Sequence, residues 1–410
     1  MEEIKVGIDL GTTNSAVAAI GEDGRPFIVT NGDGNRITPS VVGSDRGDVV
    51  VGDNAKDLQS IGCVDTAAFF KRHMGDPNFR VELDGTTYDA AGLSALLLRQ
   101  LVDDAEARLG KRIASAVVTV PAYYRSTERE AVLQACRAAG ITLQGLIAEP
   151  SAAAYAYGLS EETPGKTLLV YDFGGGTFDV TVARVGTDEI RVLGCDGDHH
   201  LGGKDFDDAL ANLMVDLLCE RCGADPDGVE LTAGESAALA VQAEQVKRQL
   251  SSRESVRVPL NVAGMNGTIE VRRIDFELAT MYLARKAMDV VDRLMRELGL
   301  LWAHIDAVVP VGGMTRMPMI LEALESRFHQ KPCGGVNPDE AVALGAAIRA
   351  NLPPRCLLGG ADETPKLHIA GAAEAPQLAL AGAKRLVDVT AHAMGMVAES
   401  PDRARYVNSE

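Results

Sequence analysis

The sequence has 410 residues, enough for two or three domains, and 46% of them are hydrophobic, so a sizeable core can form. Its 58 acidic and 40 basic residues give a net charge of −18, which argues against nucleic-acid binding or membrane binding through a positive field. Aromatic residues make up only 4% of the chain, which disfavours a base-stacking surface. The sequence contains neither a secretory signal pattern nor a long apolar run, so we expect a cytoplasmic protein.

The chain opens with an acidic residue at the end of a predicted strand, followed by a turn of small polar residues. Residues 7–15 read GIDLGTTNS and place Asp9 before this turn. Glycine allows the backbone amides of such a turn to approach a ligand closely. The pattern predicts a β-hairpin with Asp9 at its base.

Helical periodicity recurs along the chain. The predicted helices have apolar residues on one side, and 126–140 also has Ser at its start and Gly at its end. They span residues 89–109, 126–140, 233–250 and 281–298.

The second half of the chain repeats the pattern of the first. LLVYDFGGGTFDVTVARV at 168–185 again ends a predicted strand in an aspartate, Asp172, before a glycine-rich turn. VVTVPAYY at 117–124 matches VVPVGGMT at 308–315. AEPSAAAYAYG at 148–158 matches VNPDEAVALGAA at 336–347, each with a proline at a predicted helix start. This duplication predicts an α/β protein with two similar lobes facing one another across a cleft.

The offsets between the matched segments place extra chain in the second copy. We expect lobe I to comprise residues 1–164, with 337–352 returning to it, and lobe II to comprise 165–336. Within lobe II we predict an inserted subdomain at about 203–285.

Two facing hairpin turns with free amides and hydroxyls could hold a polyphosphate between them. The acids Asp9 and Asp172 would then repel the ligand unless a cation lay between them. Mg²⁺ takes carboxylate, phosphate and water oxygens together, so it resolves this repulsion. The hairpin pair is therefore interpreted as a magnesium–nucleotide clamp, with Asp9 and Asp172 nearest the metal.

Several motifs occur in an order that resembles the nucleotide-binding domain of the seventy-kilodalton heat-shock chaperones of the DnaK type. They are GIDLGTTNS, FFKR, VTVPAYY, AEPSAAAYAYGL, YDFGGGTFDVTV, HLGGKDFD, VGGMTRMP and NPDEAVALGAA, and they cover roughly residues 4–352. The short stretch after Lys71 is similar to that of a specialised bacterial, HscC-like branch. The resemblance implies an actin-like ATPase fold, with two ribonuclease-H-like lobes and ATP at the base of the cleft.

The resemblance also implies roles for individual residues. Lys71 would position the attacking water and the γ-phosphate, and Glu149 and Asp172 would organise that water with Mg²⁺, with Thr177 and Asp179 beside them. Phosphate contacts are implied for Gly11, Thr12, Thr13, Asn14, Gly175, Gly176 and Thr177. Further nucleotide contacts are implied for Gly202, Gly203, Gly312, Gly313, Thr315, Arg316 and Asp339. ATP or ADP and Mg²⁺ are the implied ligands, with K⁺ as a further candidate ion.

The segment AEQVKRQLS at 243–251 is similar to the family's adenosine-binding helix. By this resemblance Glu244 and Lys247 would touch the ribose, and Ser251 would meet the edge of the base. Arg248 would lie along the adenine, where a planar guanidinium stacks well.

The resemblance is incomplete in three places. The family's VPAYFND becomes VPAYYRS, and its GGED becomes GGKD, although Pro121 and Arg129, tied to interdomain signalling, are kept. Residues 353–385 are interpreted as a linker with one strand at 366–370, and 386–410 as the start of a truncated substrate-binding domain. The family's acidic residue before the apolar run of the linker is replaced here by Ala383, Lys384 and Arg385.

The resulting hypothesis is a Mg-dependent ATPase domain of a stress-response chaperone that couples its nucleotide state to protein folding. A J-domain co-chaperone and a nucleotide exchange factor are the implied partners, and unfolded peptides would be clients only if a full substrate domain follows. Nucleic acid and membranes are not expected partners. Two alternatives share the clamp: an actin-like polymerising ATPase, and a small-molecule kinase of the same superfamily.

Overall fold

The computed structural model describes residues 2–158, 165–186, 189–352, 385–387, 396–400 and 403–407. The predicted linker strand at 366–370 and the rest of 353–384 lie outside the described residues. Within the described part, no helix is both long and apolar enough to cross a membrane.

Lobe I is built on a mixed sheet in the spatial order β11-β10-β1-β2-β3. Its strands are β1 (Glu3–Asp9), β2 (Asn14–Ile20), β3 (Pro26–Val29), β10 (Arg112–Val120) and β11 (Leu143–Ala148), with β4 (Thr38–Pro39) paired to β2. Strands β1 and β2 form the predicted hairpin, in which Asp9 pairs with Ala16.

Smaller elements surround this sheet. Two small sheets contain β5 (Val41–Asp45), β6 (Asp48–Val51) and β7 (Thr66–Ala68) in one, and β8 (Val81–Leu83) and β9 (Thr86–Tyr88) in the other. The helices are α1 (Asp53–Ser60), α2 (Ala90–Leu109), α3 (Ser126–Ala138) and α4 (Glu149–Gly158). Helix α2 begins after Asp89, whose carboxylate accepts a hydrogen bond from the amide of Gly92 as an N-cap.

Lobe II repeats the arrangement in the order β17-β12-β13-β14-β18. Its strands are β12 (Thr167–Phe173), β13 (Phe178–Val185), β14 (Glu189–Asp198), β17 (Ala307–Val311) and β18 (Arg385–Val387). Strand β17 runs parallel to β12 as β10 runs parallel to β1. The matched sequence segments therefore occupy equivalent places in the two sheets, as the duplication predicts.

The segment predicted as an insert, 203–285, contains α5 (Gly203–Cys222), α6 (Ala233–Leu250), the hairpin of β15 (Ser255–Val262) and β16 (Met265–Arg272), and the first part of α7 (Arg273–Glu297). Helix α8 (Pro318–Phe328) follows β17, and α9 (Ala341–Asn351) packs against β1 and β2 of lobe I. Strands β19 (Met396–Ser400) and β20 (Arg403–Val407) pair antiparallel.

Two sequence predictions on helix bounds need correction. Helix α7 begins at Arg273 and not at 281, because the buried positions Phe276 and Thr280 extend its apolar side towards the start. Pro338 does not lie at the start of α9, which begins at Ala341. Instead, the amides of Glu340 and Ala341 bond to the carbonyl of Asn337, so the proline lies in a turn before the helix.

Helices α4 and α9 cross at the centre of the molecule with very little space between them. A Cβ atom added to Gly345 of α9 would lie 1.7 Å from the carbonyl oxygen of Ala152 in α4. On the lobe I side, a Cβ on Gly7 of β1 would lie 2.0 Å from the amide nitrogen of Ala347. The small residues of the two matched segments are thus required for this contact, which supports the floor of the cleft.

Candidate functional site

A polar cleft lies between the turns of the two hairpins. It spans about 640 Å³ of non-protein space, part of which is open to solvent, and is lined by both turns, by the ends of β1 and β12, and by the loop after β17. The lining includes these predicted site residues: Asp9, Gly11, Thr12, Thr13, Asn14, Lys71, Glu149, Asp172, Gly175, Gly176, Thr177, Gly312, Gly313 and Asp339.

The two hairpin turns contact each other directly. A Cβ on Gly175 would lie 1.8 Å from Thr13 Oγ1, and a Cβ on Gly176 would lie 2.1 Å from Thr12 Cγ2. Glycine at these positions therefore allows the turns to approach across the cleft. The hydroxyl of Thr13 is buried without a hydrogen-bond partner, which leaves it available to a ligand.

The acidic residues of the two hairpins lie at equivalent strand ends. Asp9 ends β1 and accepts a 2.8 Å hydrogen bond from the hydroxyl of Thr119 on the neighbouring strand β10. Asp172 lies near the end of β12 and pairs with Asp179 of β13 across the hairpin. Gly312, in the loop after β17, has φ of 82°, and a Cβ there would lie 2.9 Å from Asp172 Oδ1.

A buried ion pair lies beside these acids. Lys71, in a 3-10 turn at Phe70–His73, is only 3% exposed, and its Nζ lies 2.5 Å from Oε1 of Glu149 at the start of α4. The two residues come from separate parts of lobe I, so the fold brings together the two side chains that the resemblance assigns to the attacking water.

The acids of the cleft floor repel one another. Burial, with repulsion from Glu149, raises the pKa of Asp9 to about 7, against the opposing effects of Lys71 and the Thr119 hydroxyl. Burial also raises the pKa of Asp172 and of Asp179 well above the usual range, and Glu149 adds to both shifts. One lysine does not balance this concentration of carboxylates, so the floor favours an additional cation.

A metal at this floor would need ligands from outside the protein. Among the described residues, no group of three or more His, Cys, Asp or Glu side chains is arranged to hold a metal ion alone. Two carboxylates that face a polar cleft would leave coordination positions for phosphate and water, which is how magnesium is commonly bound.

A second space adjoins the first one through Thr13, Asn14, Gly175, Gly313 and Asp339. It spans about 850 Å³, again with part of this space open to solvent. Its lining contains the predicted adenosine residues together with Gly203 at the start of α5 and Arg316 in the turn after β17. The adenosine residues are Glu244, Lys247, Arg248 and Ser251. A polyphosphate in the first space could therefore continue into a nucleoside in the second.

Several side chains in this second space are already paired. Lys247 Nζ donates to the carbonyl of Gly203 and to Asp207, each at 2.9 Å. Glu244 forms ion pairs with Arg248 at 2.5 Å and with Lys56 of α1. Although burial opposes ionisation, the charges of Lys56 and Arg248 lower the pKa of Glu244, so this carboxylate is charged.

Arg316 lies on the opposite side of the same space. Its Nη2 donates to Asp339 at 2.7 Å and to Asn337 at 2.8 Å. These contacts hold the guanidinium at the wall of the space, and its side chain remains half exposed.

Three predicted site residues line neither space, and the roles of all the predicted site residues stay predictions. Asp179 is buried, with Oδ1 lacking a hydrogen-bond partner. The hydroxyl of Thr315 donates to the carbonyl of Gly312 at 2.7 Å. Gly202 lies so close to the second hairpin turn that a Cβ there would be 2.4 Å from the carbonyl carbon of Gly176.

Sequence reasoning missed residues that act on the site from its edges. Thr119 bonds to Asp9, and Lys56 bridges the mouth of the cleft to Glu244. A lone hydroxyl within the apolar strand VVTVP was a usable signal for Thr119. No local pattern marks Lys56, because its partner lies in a distant part of the sequence.

A family model described as Hsp70 protein matches residues 5–359, which is most of the chain.

Proposed function

Because the chain belongs to the Hsp70 family, we propose that its two lobes close on Mg–ATP and hydrolyse it in the cleft between the hairpins. Family membership confirms the predicted actin-like ATPase fold and an ATP-binding domain of the chaperone type. It favours this function over an actin-like filament or a small-molecule kinase. The HscC-like branch stays a prediction.

The observation that carries the proposal is the meeting of two duplicated acidic hairpins beside the buried Lys71–Glu149 pair. Backbone amides and hydroxyls of the turns at 11–14 and 175–177 would bind the phosphates. The donor set fits Mg²⁺ held by Asp9 and Asp172, and K⁺ stays an additional candidate. When bound, Mg²⁺ would neutralise charge on the phosphate oxygens.

The chain's own residues would orient the nucleophile. Glu149 accepts a hydrogen bond from Lys71, so its second carboxylate oxygen can accept a proton of the attacking water. Lys71 would place its positive charge beside the γ-phosphate and the water. Thr177, Asp172 and Asp179 would support this arrangement, because phosphoryl transfer depends chiefly on positioning and on charge stabilisation.

The adjoining space would hold the adenosine. Arg248 and Arg316 both line it, and each guanidinium is about half exposed in the structure. Planar guanidinium groups bind well to the face of an aromatic base. Glu244, Lys247 and Ser251 would contact the ribose and the edge of the base.

A change between the ATP-bound and ADP-bound states would be transmitted to the rest of a chaperone along a route that includes lobe II and the linker. Backbone atoms of β18, Arg385–Val387, pair in parallel with β14 and add an edge strand to the lobe II sheet. In lobe I, the same route would include Pro121 and Arg129. Arg129 Nε donates to the carbonyl of Tyr124 at 3.0 Å. We propose coupling along this route, with a J-domain partner, an exchange factor and peptide clients in the cytoplasm.

The experiment is single-turnover ATP hydrolysis by Lys71→Ala and Glu149→Gln. Each change removes a group that acts on the water and leaves the phosphate turns intact. We expect ATP to bind with near-normal affinity while hydrolysis slows by at least about 100-fold. Lys111→Ala, which removes a partly exposed lysine paired with Glu2, is the matched control. Hydrolysis at the wild-type rate in both site variants would refute the assignment.

A further inference from the structure

The segment that carries Lys71 is attached to both lobes. It consists of Phe69, with a left-handed φ of 57°, and the 3-10 turn Phe70–His73. A short 3-10 turn has poorer hydrogen bonds than an α-helix, so its position depends on outside contacts. Two residues, Tyr124 and Arg72, make those contacts.

The contact from lobe I comes from Tyr124, just after β10. Its hydroxyl donates a 2.9 Å hydrogen bond to the carbonyl of Lys71, and the ring is 8% exposed. The same carbonyl accepts the amide of Met74 at 3.3 Å, which closes the 3-10 turn. Tyr124 therefore fixes the backbone from which the Lys71 side chain extends.

On the other side of the cleft, lobe II accepts hydrogen bonds from the side chain of Arg72. Its Nε donates to the carbonyl of Gly176 at 2.8 Å, and its Nη2 donates to Asp205 Oδ2 at 2.7 Å. Asp205 also accepts the amide of Gly202 at 2.7 Å, so it connects the loop before α5 to the arginine.

A second contact joins the same elements. Lys204 Nζ lies 5.4 Å from the centre of the Phe69 ring, a cation–π distance.

The Arg72 side chain is only 11% exposed, so its charge-assisted hydrogen bonds are shielded from water.

We propose that Arg72 and Tyr124 are positioning residues that place Lys71 for hydrolysis only when the two lobes are closed. Tyr124 holds the turn to lobe I at all times. Arg72 draws the same turn against the second phosphate turn, through Gly176, when lobe II approaches. The position of the Lys71 ammonium thus depends on closure. This inference rests on the proposed function, because it assigns Lys71 to the attacking water.

Two conservative variants test the two sides of the attachment. Tyr124→Phe removes only the hydroxyl, and phenylalanine stands at this place in the family pattern VPAYFND, so the variant should fold. Arg72→Lys keeps the charge but loses the fork that reaches both Gly176 and Asp205. Tyr282→Phe and Arg25→Lys make the same changes at exposed places away from the cleft.

A split between kcat and KM distinguishes positioning from general damage. We expect each site variant to lower kcat by about fivefold to tenfold with KM within about twofold of wild type, the effect of losing one shielded hydrogen bond. The two controls should match wild type. Unchanged kcat in both site variants would overturn the proposal.

A second measurement does not depend on ATP hydrolysis. Hydrogen exchange in the nucleotide-free protein should show faster exchange of the Met74 amide region in Tyr124→Phe than in wild type or Tyr282→Phe, by about fivefold. If the wild-type protein hydrolyses no ATP, the proposed function fails. The hydrogen-exchange measurement still tests whether Tyr124 holds the turn that carries Lys71. Equal protection in Tyr124→Phe and wild type would overturn the role of Tyr124.

Discussion

Gly345→Ala offers a sharp test of how the two lobes are joined, because helix propensity and packing predict opposite outcomes. Gly345 lies inside α9, where alanine is intrinsically favoured over glycine by about 1 kcal/mol. Its added Cβ, however, would lie 1.7 Å from the carbonyl oxygen of Ala152 and 2.4 Å from its carbonyl carbon. Both atoms belong to the backbone of α4, so no side-chain rotation relieves the clash.

The size of the effect follows from the displacement required. Ordinary van der Waals contact begins at 3.4 Å, so the two helices would have to separate by roughly half of that distance. Helix α9 cannot simply move away, because its next residues lie against Gly7 of β1. Overpacking of this kind typically costs 1–3 kcal/mol and sometimes more. We expect a net loss of at least about 2 kcal/mol of unfolding free energy after the gain in helix propensity.

Thermal unfolding followed by circular dichroism measures the effect on the nucleotide-free protein. A loss of this size should lower the unfolding midpoint by about 2 °C or more in a chain of this length. Gly92→Ala is the matched control in α2, since its Cβ would approach only the Asp89 carboxylate, at 3.2 Å, and the Tyr88 side chain. That control should stay within about 1 kcal/mol of wild type.

A Gly345→Ala protein with wild-type or higher stability would refute the reasoning. It would mean that the crossing of α4 and α9 is looser than the structure indicates. The close contact would then not explain the small residues in the two matched segments.

Two further predictions concern the ligand in the cleft. Lys56→Ala removes the ion pair between α1 and Glu244 of α6, which joins the lobes across the cleft mouth. ADP should dissociate from this variant about fivefold faster than from wild type in stopped-flow measurements, whereas Lys111→Ala should leave the rate unchanged. Equal rates in both variants would contradict the idea that the ion pair holds the cleft closed. Removal of Mg²⁺ with a chelator should abolish hydrolysis and weaken ATP binding, because Asp9 and Asp172 would then face the phosphates without a cation. Calorimetric ATP binding of equal strength with and without Mg²⁺ would contradict the clamp.

The sequence by itself determined the duplicated lobes, the two acidic hairpins and the approximate bounds of the helices predicted at 89–109, 126–140 and 233–250. These features depend on short-range patterns, such as an apolar strand that ends in Asp9 or Asp172 before a glycine-containing turn. The prediction of 233–250 as a helix is confirmed without change, because a capping box at Thr232 and Glu235 marks its start locally. The start of α7 and the place of Pro338 were wrong, since tertiary packing and a turn decide them.

Only the tertiary structure decided which side chains meet. The bonds from Arg72 to Gly176, from Tyr124 to Lys71 and from Lys56 to Glu244 join parts of the chain that are far apart in sequence. No periodicity encodes such pairs, because the bond from Tyr124 depends on packing within lobe I and the other two depend on how the two lobes approach one another. Sequence patterns report the local preferences of the backbone and which face of a helix or strand is buried. These contacts instead depend on distances that are set only when all the elements have packed together.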